Sequence, residues 1–154
     1  MAARTAGGVV QRVLLDTSYI LPTLGVDVEG VKPVLERLKL LRSRGRVELY
    51  YSDFSLLEAL AKAVKLGVPE HVVEQGITAI AAGYARADPD IRAWLLAARL
   101  RRDGLRDLID ALIYATAFTK GLHLLTRDVK LLEFLEKHGY PTNTILIESQ
   151  FLKG

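Results

Sequence analysis

Five acids in this chain sit where their charge needs explaining. Asp16 closes the apolar run at residues 12–16 (RVLLD), and Asp128 follows Thr126 at the end of a second run, LLTRD. Glu58 lies among Leu56, Leu57, Ala59, Leu60 and Ala61. A carboxylate amid that apolar surface must be paired, metal-bound or at a solvated rim. Asp110 meets the same problem within LIDALI, and Asp107, three residues earlier, shares its helix face one turn away. Taken singly, each acid reads as a helix cap or part of a solvated face. Gathered together they repel one another, and a hard divalent cation relieves that repulsion. Oxygen donors without His or Cys select Mg²⁺ or Mn²⁺ over Zn²⁺. Magnesium held by a few carboxylates keeps waters and fills its remaining positions from phosphate, which points to phosphoryl chemistry. Such a metal activates water and stabilises the charge that develops on phosphate.

Whether the acids meet depends on the elements that carry them. The run at 12–16 predicts a buried strand. A short helical turn follows at 17–24, limited by Pro22. Apolar positions 31, 34, 35, 38 and 41 make one helix face, closed by Gly45. VELYY at 47–51 predicts a second strand. Ser52 or Asp53 caps the helix that carries Glu58 and stops at Gly67. Helices are predicted at 69–85, 90–102 and 106–119, the last ended by Gly121, then a strand at 122–125, a helix at 128–137 and a strand at 144–147. Strands that alternate with helices predict a parallel sheet covered on both faces. In such sheets ligands collect outside the carboxyl ends of the strands, where four of these segments deliver their acids.

Composition narrows the alternatives. The chain has 154 residues and no cysteine, which excludes disulfide scaffolds, thiol nucleophiles and iron–sulfur clusters. Histidine occurs only at 71, 123 and 138, so a His-rich metal site is not expected. Half the residues are hydrophobic, enough for one core. The net charge of +3 suits an anionic partner without identifying one. One asparagine, three glutamines and an excess of Arg over Lys, 13 to 8, hint at a thermophilic source. Residues 1–11 read as a flexible tail and 12–152 as a single domain. No stretch reaches the ~20 apolar residues of a membrane helix, the longest being broken by Asp110, so a soluble cytoplasmic protein is expected.

Four segments together resemble the PIN-domain family, most nearly its VapC-type toxins. They are VLLDTS at 13–18, SDFSLLEAL at 52–60, DALIYATA at 110–117 and LLTRD at 124–128. Their order and spacing agree with the family from residue 12 to about 147. The resemblance implies a three-layer α/β/α domain with a central parallel sheet and a Mg²⁺- or Mn²⁺-dependent endoribonuclease. It implies an acidic quartet of Asp16, Glu58, Asp110 and Asp128, with Asp16 and Asp110 as the main metal ligands. Thr126 and Thr17 or Ser18 match the family's supporting hydroxyls. Asp107 is an addition to the pattern that could share the metal. An RNA substrate, a protein antitoxin and a homodimer are the implied partners. Apolar helical material at 72–82 and 91–100 is either a partner surface or core.

Arg99, Arg101, Arg102 and Arg106 crowd the approach to Asp107 and are the preferred RNA-phosphate contacts; Arg42, Arg44 and Arg46 form a second basic group. The tyrosines at 19, 50, 51 and 114 fit core packing better than base stacking. Other acidic α/β pockets fit poorly. A phosphoacceptor receiver needs an acidic pair near the end of its first strand, and a DxDxT phosphatase needs an acid where Ser18 stands. The competing reading on the same fold is an RNA-binding or RNA-processing factor outside any toxin–antitoxin system, with weak or no nuclease activity.

Overall fold

A computed structural model describes residues 3–5 and 8–153. Strand β1 (Ala3–Thr5) runs antiparallel to the first residues of β2 (Gly8–Leu15). Residues 1, 2, 6 and 7 of the expected tail lie outside the described residues. Strand β2 begins four residues before the predicted start, because Val9 and Val10 continue the strand through Gln11, whose polarity hid it. Two turns of 3₁₀ helix follow, Thr17–Tyr19 and Leu21–Leu24. Then come α1 (Lys32–Ser43), β3 (Val47–Tyr51), α2 (Asp53–Lys65), α3 (Glu70–Gly83), β4 (Ala85–Arg86), α4 (Ile91–Arg102) and α5 (Leu108–Lys120). Strand β5 (His123–Thr126), α6 (Val129–Lys137), β6 (Ile145–Ile147) and α7 (Glu148–Lys153) complete the described chain.

Five strands form one parallel sheet in the order β4-β3-β2-β5-β6. Helices cover both faces, which is the expected three-layer α/β/α arrangement. The alternation of strand side chains separates two cores. Val13, Leu15, Leu49 and Leu125 pack on one face with α1, α2, α3 and the 3₁₀ turns. Leu14, Leu124, Ile145 and Ile147 pack on the other with α4, α5 and α6. Every residue from 111 to 117 in α5 is buried. A helix that is apolar all round belongs inside, and this one lies between the sheet and α4 against Ala93 and Ala97.

Besides β1, which falls in the expected tail, two elements escape the periodic signal. Strand β4 is two exposed residues held by backbone pairing to Tyr50 and Tyr51. Helix α7 is six residues long, too short to display a face. One close approach depends on a glycine: a Cβ on Gly76 would lie 2.2 Å from the Thr23 carbonyl oxygen, so α3 sits directly on the second 3₁₀ turn.

The chain places β2 in the middle of the sheet, adds β3 and β4 on one side, then crosses to add β5 and β6 on the other. The order reverses between β2 and β5, and the carboxyl ends of those two strands lead into Asp16 and Asp128. This is the crevice where open α/β sheets bind ligands.

Candidate functional site

Asp16, Thr17, Ser18, Glu58, Asp110 and Asp128 line one cavity of about 430 Å³ at that edge, together with Leu21, Lys62 and Arg127. The predicted quartet therefore comes together from four separated segments. A cavity of about 480 Å³ lined by Gln11, Val47 and His123 sits at the opposite, amino-terminal edge of the sheet and holds no acid.

Asp16 caps the first 3₁₀ turn. Its Oδ1 accepts from the Thr17 amide at 2.7 Å and its Oδ2 from Thr126 Oγ1 at 2.8 Å. Thr126 is fully buried, and the same Oγ1 accepts from the Asp128 amide at 3.0 Å. One hydroxyl thus ties the acid after β2 to the acid after β5. Asp128 caps α6, with Oδ1 accepting from the Leu131 amide at 3.1 Å. Glu58 is half-buried on α2, one turn before Lys62. Asp110 lies in the first turn of α5, half-buried.

The electrostatics are those of an uncompensated cluster. Burial raises the Asp16 carboxyl above its usual range, the hydrogen bonds from Thr126 and Thr17 pull it back, and Asp128 and Glu58 raise it further. Asp110 is pushed up to about 8, first by burial and then by Asp16, Asp107, Asp128 and Glu58. No cation offsets these acids through an ion pair: among the described residues, every ion pair lies elsewhere. Thr17 Oγ1 is buried without a hydrogen-bond partner beside them. An all-oxygen donor set, a repelled carboxyl and an orphaned hydroxyl fit a hard divalent cation. Among the described residues, no three acidic groups stand close enough to hold one ion together.

The remaining expected residues fall outside this cavity wall. Asp107 caps α5: its Oδ1 accepts from the Ile109 and Asp110 amides at 3.0 and 3.1 Å. It acts on Asp110 through its charge. Arg99, Arg101, Arg102 and Arg106 are exposed, and none lines the cavity. Its cations are Lys62 and Arg127, which sequence reasoning passed over. Lys62 was legible one helical turn after Glu58. Arg127 stands inside the LLTRD segment, but its direction depends on β6 and α7.

The helices do not include one long and apolar enough to cross a membrane among the described residues. A family model described as PIN domain matches residues 13–135. No curated protein is matched by the sequence. Among solved structures, VapBC2 from Rickettsia felis bound to a promoter DNA fragment is similar with a TM-score of 0.64 at 16% identity, over 90% of this chain and 98% of that one. A toxin–antitoxin complex from Klebsiella pneumoniae is similar with a TM-score of 0.60 at 22% identity, over 87% and 95%. DNA-bound VapBC from Salmonella typhimurium gives 0.58 at 20% identity, over 90% and 97%.

Proposed function

Because this chain belongs to the PIN domain family, we propose that it is a Mg²⁺- or Mn²⁺-dependent endoribonuclease and the toxin of a toxin–antitoxin pair. The observation that carries this reading is the convergence of Asp16, Glu58, Asp110 and Asp128 on one cavity at the switch point of the sheet. Similarity to toxin–antitoxin complexes supports the toxin role and a protein antitoxin as partner, and a homodimer is part of the same proposal.

Bound metal would lower the pKa of water and offset charge on the scissile phosphate. Asp16 and Asp110 would be its main holders, with Glu58 and Asp128 completing the set. Thr126 fixes Asp16 and Asp128 relative to each other through its two hydrogen bonds. The capping bond occupies Asp128 Oδ1 and leaves Oδ2 to accept a proton from the attacking water. Ser18 and the unpartnered Thr17 hydroxyl stand at the same wall. Lys62, exposed on that wall, meets an incoming phosphate as a point charge.

The second reading, an RNA-binding factor with little chemistry, draws support from the spacing of the acids: among the described residues no three of them stand close enough to hold one ion together. One set of experiments separates the two. Purified protein with Mn²⁺ is expected to cleave single-stranded RNA, to stop in EDTA and to leave DNA of the same sequence intact. Its expression is expected to arrest growth, with Asp110→Asn relieving the arrest. RNA binding without cleavage in Mn²⁺ would favour the binding factor, and cleavage without growth arrest would favour a housekeeping nuclease.

A further inference from the structure

Arg127 poses a problem of its own. It stands between Thr126 and Asp128, so the backbone places it at the wall of a cavity with four acids. A guanidinium there would be expected to pair with Asp128 or Asp16. It lines that wall, yet its polar contacts go to other groups. Nε meets Glu148 Oε2 at 3.1 Å and Nη2 approaches Oε1 at 3.5 Å, while Nη1 donates to the Glu29 carbonyl at 2.8 Å. Glu148 Oε2 also accepts from the Tyr19 hydroxyl at 2.8 Å. Tyr19 is fully buried, and only 12% of the Glu148 side chain is exposed. Burial and Glu148 push the Tyr19 hydroxyl well above the usual phenol range, so it remains a donor.

The sheet dictates this pairing. Thr126 is opposite Ile147 in the parallel register of β5 and β6, so the next residues, Arg127 and Glu148, leave the two strands side by side. Glu148 also opens α7, which makes the helix after the last strand part of the site's frame.

We propose that Glu148 is a positioning residue that engages the Arg127 guanidinium at the cavity wall and so keeps the cavity carboxylates free for a cation. The proposal rests on the metal-binding reading of the cavity. A guanidinium released from Glu148 would pair with the nearest cavity carboxylate and compete with the divalent ion for it. A fixed positive charge at that wall also opposes a second one directly. Glu148 supplies a bidentate carboxylate of the right shape, and Tyr19 holds that carboxylate in place.

The test is Mn²⁺ binding, read from free Mn²⁺ by electron paramagnetic resonance without RNA. Four full-length proteins are compared: wild type, Glu148→Gln, Arg127→Met and the double variant. Glu148→Gln is expected to bind Mn²⁺ about tenfold more weakly than wild type, a difference of about 1.4 kcal/mol. The double variant is expected to recover wild-type affinity, because no guanidinium remains to compete. A merely structural role for Glu148 predicts the opposite, a double variant as weak as Glu148→Gln or weaker, and that result overturns the proposal. Wild-type affinity in Glu148→Gln overturns it as well, while leaving the metal reading intact. Absence of Mn²⁺ binding by the wild type overturns both. If Glu148→Gln does not fold, Arg127→Met and the double variant carry the comparison: equal affinities are expected, and a further loss in the double variant contradicts the proposal.

Discussion

Asp16→Asn lowers Mn²⁺-dependent RNA cleavage by about 10³-fold, on the scale seen when a group that stabilises transition-state charge is removed. Asparagine has the same shape, and its carbonyl oxygen can still accept from the Thr17 amide, the shorter of the two bonds Asp16 makes. What is lost is the charge, together with the acceptor that holds the Thr126 hydroxyl. Two effects on the fold oppose each other, because the buried Thr126 hydroxyl loses its acceptor while a buried, repelled charge is removed. The Asp16 carboxyl is raised by burial and by Asp128 and Glu58, so its ionised form is strained in the metal-free chain. Asp16→Asn is therefore expected to stay folded, melting close to the wild-type temperature in EDTA, while losing cleavage. Single-turnover cleavage and thermal melting on the same preparation check both halves. Cleavage at the wild-type rate would sink the assignment of Asp16 to the metal.

The stability of the metal-free protein falls as pH rises from the ordinary carboxylate range towards about 8. Asp110 is the cause, since its carboxyl is pushed up to about 8 by burial and by four neighbouring acids. Between those limits the unfolded chain has released this proton and the folded chain has kept it. The native state then binds more protons than the unfolded one, and linkage makes stability decline with pH until the folded carboxyl has also ionised. Asp16 shifts in the same direction. His123 works in the opposite sense, because burial holds its imidazole below the usual value and costs stability at low pH. Comparing wild type with Asp110→Asn cancels the His123 contribution. Melting temperatures in EDTA from pH 4.5 to 8.5 should fall more steeply for wild type than for the variant. Parallel profiles would contradict the account of Asp110. Metal adds a second readout: the ion needs the deprotonated carboxylate, so Mn²⁺ affinity should rise by up to about tenfold per pH unit until about 8.

These expectations rest on features of unequal visibility in the sequence. Four of the five parallel strands and the helices from 32 to 137 were legible, because their apolar periods are strong and Pro22, Gly45, Gly67 and Gly121 punctuate them. The acidic quartet was legible because Asp16 and Asp128 follow buried strands, and Glu58 and Asp110 interrupt apolar helix faces. Strand β4 has no side-chain signal, since backbone pairing to Tyr50 and Tyr51 defines it. The cations at the cavity were missed for a related reason. Arg99 to Arg106 are near Asp110 in sequence, but α4 and its following turn carry them outside the cavity wall. Lys62 reaches it by helical period, and Arg127 by its place after β5. The pairing of Arg127 with Glu148 depends on the register of two strands, Thr126 against Ile147, and joins residues 21 apart in sequence, which no local pattern records.

The proposed divalent-metal centre is made by Asp16, Glu58, Asp110 and Asp128. Anomalous diffraction at the manganese edge from crystals grown with Mn²⁺ tests it most directly. The predicted result is a peak in the cavity at the carboxyl ends of β2 and β5, within coordination distance of Asp16 and Asp110, that disappears in Asp16→Asn. A cavity without a peak at saturating Mn²⁺, or a peak held by other residues, would contradict it.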